Sequence, residues 1–277
     1  MLSKFFITGD CHGVFTRFYN LPKDEEIGMI ILGDAGFNFY LNKTDERKKK
    51  EVCENYPHIT FYCVRGNHEC RPQDLPNIEK IFDENVHGVV YYEPEYPNIR
   101  YFLDYGLYCI NDYNCYVIGG AYSVDKYWRL ERASMTEETN NPKKSGWFAN
   151  ELLTKEEMDR ATEQIYNFKD MGKPIDFIFS HTCPYDWEPR DLFLGSVNQS
   201  TVDESMERWM NKIKEDIHFH VWCFGHFHAD RLERPHVEQY YNDMEELNTI
   251  YKRWKDYDKI KDLPWYLVKG QNFYANN

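Results

Sequence analysis

The stretch from residue 61 to residue 69 reads FYCVRGNHE. Its first four residues are apolar, which is typical of a short strand buried on both faces of a sheet. Gly66 then permits a sharp change of backbone direction, and Asn67, His68 and Glu69 follow in the next three positions. The stretch therefore predicts a strand that presents polar side chains at its carboxyl end.

The same arrangement, an apolar run followed by polar side chains, occurs at four other places. These runs are residues 5–7, 29–32, 177–179 and 221–224, and they lead into GDCHG (9–13), GD (33–34), SH (180–181) and GHFH (225–228). A sixth apolar run lies at residues 116–118. In open α/β sheets ligands bind beyond the carboxyl ends of the strands, so five strand ends are expected to place their polar side chains on one rim.

Amphipathic segments lie between and after these runs. Thr154 and Glu157 form a capping-box pattern ahead of a helical apolar periodicity, and Thr201 and Glu204 form a second such pattern. A third amphipathic stretch runs from residue 244 to residue 254. Strands that alternate with helices indicate an α/β protein.

The side chains expected on this rim have the chemistry of a metal site. They are Asp10, His12, Asp34, Asn67, His181, His226 and His228. Imidazole, carboxylate and carboxamide groups together suit Zn, Mn and Fe, and the lack of converging cysteines argues against a structural thiolate zinc site. The two oxygens of Asp34 can bridge two ions, and ions roughly 3.5–4 Å apart can hold a bridging hydroxide that attacks a phosphate ester. We therefore expect two divalent or transition metal ions (Mn, Fe or Zn).

The ordered set Asp-x-His, Gly-Asp, Gly-Asn-His-Glu, Ser-His and Gly-His-x-His, from residue 9 to residue 228, resembles the calcineurin-like metallophosphoesterase superfamily. The resemblance implies an α/β fold in which two mixed β-sheets form a sandwich flanked by helices, in four layers. It also implies that one ion is held by Asp10, His12, Asp34 and His228, and the other by Asp34, Asn67, His181 and His226.

His68 would remain unligated in that arrangement and is the predicted general acid. It follows Asn67 directly, and its unperturbed pKa is near neutral. The leaving oxygen of an ester needs a proton as its bond to phosphorus breaks, and the resemblance implies the same role for His68. The alternative is a histidine that only hydrogen-bonds the substrate phosphate.

The substrate is expected to contact the long segment between the third and fourth motifs. Residues 119–129 there end a strand, and they resemble a loop of many bacterial members that is followed by a tryptophan-containing stretch, here residues 147–151. The planar guanidinium of Arg129 can bind a phosphate, and Asn67 is a second predicted phosphate ligand. A surface salt bridge is the alternative interpretation of Arg129.

The block at residues 33–39 reads GDAGFNF and departs from the protein serine/threonine phosphatases of the superfamily. Those enzymes carry Gly-Asp-x-x-Asp-Arg-Gly, and Phe37 and Asn38 stand where their second Asp and their Arg would be. Asparagine cannot replace a planar guanidinium in binding phosphate. The expected substrate is therefore a small phosphomonoester, nucleotide or phosphodiester, and the alternatives are a nuclease, a protein phosphatase and a non-catalytic scaffold.

The 277 residues carry a formal net charge of −13. Because extended nucleic acid and anionic membranes require a basic face, neither is expected as a partner. The sequence has no apolar run of membrane-spanning length, and its first residues do not resemble a signal peptide, so we expect a cytoplasmic protein. One domain is expected over residues 1–277, with a substrate-side insertion at about 88–150 and a helical C-terminal extension at about 240–277. The sequence does not indicate an oligomeric state.

The remaining reactive or charged residues have structural interpretations. The eight cysteines form no Cys-x-x-Cys pair, which favours buried thiols over disulfides or a thiolate zinc site. His218 and His220 alternate along one expected strand and are interpreted as sheet residues. Residues 47–50 (RKKK) are interpreted as a solvated helix face. The tyrosines from 91 to 108 are interpreted as packing between edge strands, with stacking against a substrate ring as the alternative.

Overall fold

The computed structural model describes residues 2, 4–135 and 145–262, and thirteen β-strands lie within them. The strands are β1 (Lys4–Thr8), β2 (Ile27–Ile31), β3 (Ile59–Cys63), β4 (Glu79–Asp83), β5 (Gly88–Tyr92), β6 (Ile99–Phe102), β7 (Tyr105–Ile110), β8 (Tyr113–Ile118), β9 (Ile175–Ser180), β10 (Phe219–Phe224), β11 (Arg231–Arg234), β12 (Val237–Gln239) and β13 (Met244–Glu246). Each of the six apolar runs that predicted a strand overlaps one of them.

The strands form two mixed sheets. The seven-stranded sheet has the order β13-β1-β2-β3-β6-β5-β4, and the six-stranded sheet has the order β11-β12-β10-β9-β8-β7. In the first sheet β1, β2, β3 and β6 are parallel, and in the second β8, β9, β10 and β12 are parallel. Antiparallel strands complete the edges of both sheets.

Helices cover the outer faces of the two sheets. The α-helices of the described residues are α1 (Lys43–Asn55), α2 (Lys126–Ser134), α3 (Lys155–Asp170), α4 (Ser205–Asp216) and α5 (Leu247–Ile260). α1 packs on the seven-stranded sheet, whereas α3 and α4 pack on the six-stranded sheet. The order of layers is helix, sheet, sheet, helix, which confirms the predicted sandwich of two mixed sheets.

One hydrophobic core lies between the two sheets, and another lies between each sheet and its helices. Successive side chains of the central strands point alternately into the two cores on either side. In β2, Ile30 faces the interface between the sheets, whereas Met29 and Ile31 pack on the side of α1. In β9, Phe177 faces the same interface and Ile178 packs on the side of α3 and α4. Because both faces of these strands are buried, their central residues, 29–31 and 177–179, are consecutive apolar residues instead of alternating ones.

The capping box predicted at the start of α3 is confirmed, and the second predicted box is wrong. The Thr154 hydroxyl accepts a hydrogen bond from the Glu157 backbone N–H at 3.2 Å, and the Glu157 carboxylate accepts one from the Thr154 N–H at 2.7 Å. Thr201 lies instead in a 3₁₀ turn, and α4 begins after Glu204, whose side chain makes no capping hydrogen bond. The Thr201 hydroxyl donates to the backbone carbonyl of Asn198 at 2.8 Å. This local hydrogen bond stabilises a turn where the sequence predicted the start of a helix.

Thr154→Ala is expected to lower the free energy of unfolding by about 1 kcal/mol, because one backbone N–H at the helix start loses its acceptor. Thr201→Ala is the matched control, and its effect should stay below about 0.5 kcal/mol because the residue is exposed. Urea denaturation followed by circular dichroism measures both. Equal losses in the two variants would contradict the assignment of the cap.

The interpretation of residues 47–50 as a solvated face is wrong for Lys49. Its ammonium group is buried, donates to the Asn38 side chain at 3.0 Å, and donates to the Glu93 carboxylate at 2.7 and 2.8 Å. Arg47 is exposed, as predicted. The helical period turns Lys49 towards the protein, where its charge is paired with that of Glu93.

The domain boundaries predicted from the sequence stay predictions. Residues 88–118 contain β5 to β8, which are paired members of the two sheets, and α2 follows β8. α5 buries Leu247, Ile250 and Trp254 against the core between the sheets. Residues 136–144 of the predicted insertion and 263–277 of the predicted C-terminal extension lie outside the described residues.

The cysteines, the tyrosines and two histidines of the sequence analysis also have defined positions in the structure. All eight cysteines are free and six are buried, which confirms the expected thiols. Tyr91, Tyr101 and Tyr108 are buried, so the packing interpretation is confirmed for them. His220 lies in β10, whereas His218 precedes the strand. None of the helices in the described residues combines the length and the hydropathy of a membrane span.

Candidate metal centre

Five strand ends meet at one rim of the sandwich. The predicted ligands that follow β1, β2 and β3 come from the seven-stranded sheet, and those that follow β9 and β10 come from the six-stranded sheet. The structure brings together Asp10, Asp34, Asn67, His181 and His226, with His12 and His228 on the exposed side.

Asp10, His12 and His228 form the outer group. Their ligand atoms lie within 4.8 Å of one another. His228 Nε2 is 3.2 Å from Asp10 Oδ2, and His12 Nε2 is 2.9 Å from His228 Nε2. Asp10 is 1% exposed, yet its Oδ2 atom has no hydrogen-bond partner among the described residues. A buried carboxylate oxygen without a donor beside two imidazoles suits a cation.

Asp10, Asp34 and His181 form the inner group, whose ligand atoms also lie within 4.8 Å of one another. His181 Nε2 is 3.7 Å from Asp34 Oδ2 and 2.9 Å from Asn67 Oδ1. The ring of His226 lies 4.9 Å from that of His181, between centroids. Asp10 belongs to both groups, whereas the sequence predicted Asp34 as the shared carboxylate, so the bridging role of Asp34 stays a prediction.

Hydrogen bonds around His181 and Asn67 turn two lone pairs towards each other. The Leu32 carbonyl lies 2.7 Å from His181 Nδ1, which must therefore carry a hydrogen, so Nε2 of the neutral ring has a lone pair. The Ser123 hydroxyl donates to Glu151 at 2.5 Å, and its oxygen accepts from Asn67 Nδ2 at 2.9 Å. Asn67 Oδ1 thus faces His181 Nε2 without a hydrogen between them. This pair of acceptors fits a metal ion better than a direct contact.

The local electrostatics also favour a cation. Burial, and then the charge of Asp10, raise the pKa of Asp34 well above its usual value. Burial lowers the pKa of His181 although Asp10 opposes that shift, and burial followed by His181 lowers the pKa of His226. The lowered pKa values favour the neutral imidazoles that metal ligation requires, and a cation beside Asp34 would stabilise its ionised carboxylate.

Glycines make the close approach of these groups sterically possible. A Cβ atom on Gly33, whose φ is +96°, would lie 2.0 Å from His181 Nδ1, and a Cβ atom on Gly66 would lie 1.9 Å from Asp34 Oδ1. Any side chain at either position would displace a predicted ligand.

Four of the predicted ligands themselves have left-handed backbone conformations. The φ angles of His12, Asp34, His226 and His228 are 46°, 46°, 68° and 53°. Such conformations are uncommon outside glycine and are concentrated at functional sites, where the surrounding fold holds them in place. The rim therefore combines strained backbone with converging ligand atoms.

His68 lies beside the inner group. Its backbone N–H donates to Asp34 Oδ1 at 2.9 Å, and its Nε2 is 3.2 Å from Asn67 Nδ2. Its Nδ1 atom is buried and has no hydrogen-bond partner among the described residues, so none of them orients the ring from that side. Burial, followed by the charge of Arg129, lowers the pKa of His68 to about 3. A role as acid therefore requires the negative charge of a bound phosphate to raise that pKa.

The two positions that differ from protein phosphatases are built into the fold. Phe37 is fully buried and stacks on Phe15, with ring centroids 4.8 Å apart. The Asn38 side chain accepts the hydrogen bond from Lys49, and the backbone carbonyl of Asn38 accepts one from the Cys70 N–H at 3.0 Å. Neither side chain replaces the missing carboxylate or guanidinium.

Two openings flank His68, and both are lined by Asp34, His68, Asp125 and His228. The basic groove, of about 410 Å³, is also lined by His12, Phe39, Tyr40, Lys48 and Arg129. The apolar pocket, of about 430 Å³, is also lined by Tyr122, Leu192, Phe193, Val197, Glu207 and Phe227. The predicted centre therefore has space for a substrate on either side.

Arg129 lies in the basic groove but is not free. Its Nε donates to Asp125 at 2.7 Å, and its guanidinium lies over the Phe39 ring, 5.6 Å from the centroid. Both sequence interpretations of Arg129 are compatible with this position. Phosphate binding by Arg129 stays a prediction.

Sequence reasoning missed the residues that support Asn67 and those that line the apolar pocket. Ser123 and Glu151 lay in the two stretches assigned to substrate binding, but nothing in their spacing indicated that they contact each other. Glu207 follows the second capping-box pattern, where the sequence indicates only an amphipathic helix. Each contact joins residues far apart in the chain, and no local pattern reports such a contact.

The order of motifs and the convergence of their side chains agree with a comparison against known families. The sequence model of the family described as calcineurin-like phosphoesterase matches residues 3–230. The chain belongs to this family. The phosphoesterase therefore catalyses metal-dependent hydrolysis of phosphate esters, and its family uses divalent metals.

Comparisons with individual proteins add little about the substrate. No curated protein matches the phosphoesterase. The solved structure of Phosphopantetheinyl Hydrolase (PptH) from Mycobacterium tuberculosis has 12% sequence identity and a TM-score of 0.39, with 95% of this chain and 94% of that chain covered.

Proposed function

We propose that the phosphoesterase holds two divalent or transition metal ions at the rim and hydrolyses small phosphate esters or nucleotides there. The observation that carries the proposal is the contact between His181 Nε2 and Asn67 Oδ1, two acceptors 2.9 Å apart beside buried Asp34. When bound, such ions supply Lewis acidity towards the phosphoryl group and generate a nucleophile from water. The ligand sets are those given by the family resemblance.

The chain's own residues would bind the phosphate and move the proton. His68 would donate a proton to the leaving oxygen as the P–O bond breaks and water supplies the new oxygen on phosphorus. Ser123 and Glu151 orient the Asn67 amide, which would hold a phosphoryl oxygen. Arg129 would add a charged donor from the basic groove once it turns from Asp125.

A small substrate is favoured by the size and charge of the site. Openings of about 410 and 430 Å³ match small-molecule sites. The net charge of −13 disfavours extended nucleic acid. Because Phe37 and Asn38 provide neither the carboxylate nor the guanidinium of protein phosphatases, phosphoproteins should be poor substrates.

A substrate panel tests this function. With added Mn²⁺, the phosphoesterase should hydrolyse nitrophenyl phosphate or bis-nitrophenyl phosphate, and a chelator should abolish the activity reversibly. Its best small ester or nucleotide should have a kcat/KM at least about tenfold above that of a phosphoserine protein.

Two outcomes would reject the proposal. A phosphoprotein kcat/KM above that of every small ester and nucleotide would favour a protein phosphatase. Metal-loaded protein that hydrolyses none of the panel would favour a non-catalytic scaffold.

A further inference from the structure

The apolar pocket contains a buried carboxyl group that has an unsatisfied oxygen. Glu207, in the first turn of α4, is 5% exposed, and its Oε2 atom has no hydrogen-bond partner among the described residues. Thr182 is 1% exposed, lines the same pocket, and its hydroxyl is also unpartnered there. Buried polar groups of folded proteins are normally paired, so two such groups on one cavity wall can pair with a polar group of a bound ligand.

The other walls of the pocket are apolar. Leu192, Phe193, Val197 and Phe227 line it, and the rings of Phe193 and Phe227 are stacked with centroids 6.3 Å apart. Leu194, on the same wall, leaves 60% of its surface exposed. These side chains would bury the non-polar part of a ligand.

More acidic than basic side chains line the pocket. Glu188 and Glu204 line it together with Glu207, and no lysine or arginine of the described residues does so. Glu188 and Glu204 have basic partners, Arg190 at 3.7 Å and Arg208 at 2.6 Å, whereas Glu207 has no ion pair in the described part of the chain. A cation with an apolar body matches this combination of walls and charges.

Burial makes ionisation of two carboxyl groups of the pocket unfavourable. Burial raises the pKa of Glu207 to about 8 and that of Glu188 to about 7. The backbone N–H of Glu207 and the Thr182 hydroxyl lie close enough to oppose this shift at Glu207. A cation beside Glu207 would stabilise its ionised form.

We propose that the apolar pocket binds the leaving group of the ester and that Glu207 selects leaving groups carrying a protonated amine on an apolar or aromatic body. The proposal rests on the proposed function, because the same pocket is lined by His68, Asn67 and His226. The amine would donate to Glu207 and Thr182, while the apolar body would contact Phe193 and Phe227.

Two esters with matched chemistry test the selection. Tyramine phosphate and 4-propylphenyl phosphate have leaving groups of similar shape and acidity, but only the first carries an ammonium. We expect kcat/KM for the tyramine ester to be roughly 10- to 100-fold higher. If the panel assay shows a diesterase, the methyl diesters of the same phenols replace the monoesters. If the enzyme hydrolyses nitrophenyl esters but its kcat/KM values for the tyramine and propylphenyl esters are equal, the selection by Glu207 is refuted. The proposed function would still hold in that case.

Variants of Glu207 identify the residue responsible. Glu207→Leu should bring the ratio of the two kcat/KM values close to one, and Glu207→Gln, which keeps an acceptor but no charge, should give an intermediate ratio. Glu163→Leu, at an exposed position of α3, is the matched control and should keep the wild-type ratio. Calorimetry with tyramine itself should show weaker binding in Glu207→Leu than in wild type. An unchanged ratio and unchanged tyramine binding in Glu207→Leu would refute the assignment.

Discussion

Asp34→Asn is expected to lower the metal content of the phosphoesterase from about two ions per chain, and to lower the occupancy of both positions. An amide has one neutral oxygen ligand in place of two charged oxygens, so it cannot bridge two cations with the same affinity. Elemental analysis after loading with Mn²⁺ and removal of free metal measures the effect.

Two further variants make this measurement specific. Asp125→Asn carries the same change in a residue that lines both openings but is not a predicted ligand, and it should retain both ions. Asp10→Asn should weaken mainly one position if Asp34 is the bridge. Loss of both ions in Asp10→Asn with loss of one in Asp34→Asn would assign the bridge to Asp10, which belongs to both groups of ligand atoms. A single ion at full occupancy far from Asp34 would exclude the two-metal site.

His68→Asn is expected to reduce turnover by roughly 10²- to 10⁴-fold while leaving metal content nearly unchanged. The imidazole is next to a predicted ligand without belonging to either group of ligand atoms, so its loss removes a proton donor and not a ligand. The reduction should be smaller for nitrophenyl esters, because good leaving groups need little protonation. Steady-state kinetics on esters with graded leaving-group acidity measure this dependence.

His87→Asn is the matched control for the second prediction. His87 is exposed in the turn between β4 and β5 and has a φ of 44°, a conformation that asparagine tolerates. The activity of the His87→Asn variant should equal that of the wild type. If His68→Asn lowered turnover equally for good and poor leaving groups, His68 would be a phosphate-binding residue instead of an acid.

The strands and the gathering of their polar ends could be predicted because both depend on local patterns. A central strand buried on two faces has a run of apolar residues whatever its partners are, and the middle residues of β2 and β9 show this. A glycine at the strand end, such as Gly33 or Gly66, indicates the turn that follows. Parallel strands then place their carboxyl ends at a common edge.

The wrong or missing predictions concern contacts that a local sequence pattern does not determine. Thr201 and Glu204 have the spacing of a capping box, but a tighter turn at Asn198 satisfies the backbone instead. Lys49 looks like one of four solvated basic residues until Glu93, 44 positions later, is placed beside it. The support of Asn67 by Ser123 likewise depends on how the strands are packed.

The predicted ligands are divided between the two sheets, with Asp10, Asp34 and Asn67 following strands of one and His181 and His226 following strands of the other. A metal ion bound there would join the sheets as a cross-link does. Affinity for the ion and the free energy of docking the sheets are then thermodynamically linked. A loosened contact deep in the core, such as one around Phe177, would weaken metal binding without altering any ligand. Bound metal would in turn tighten the core.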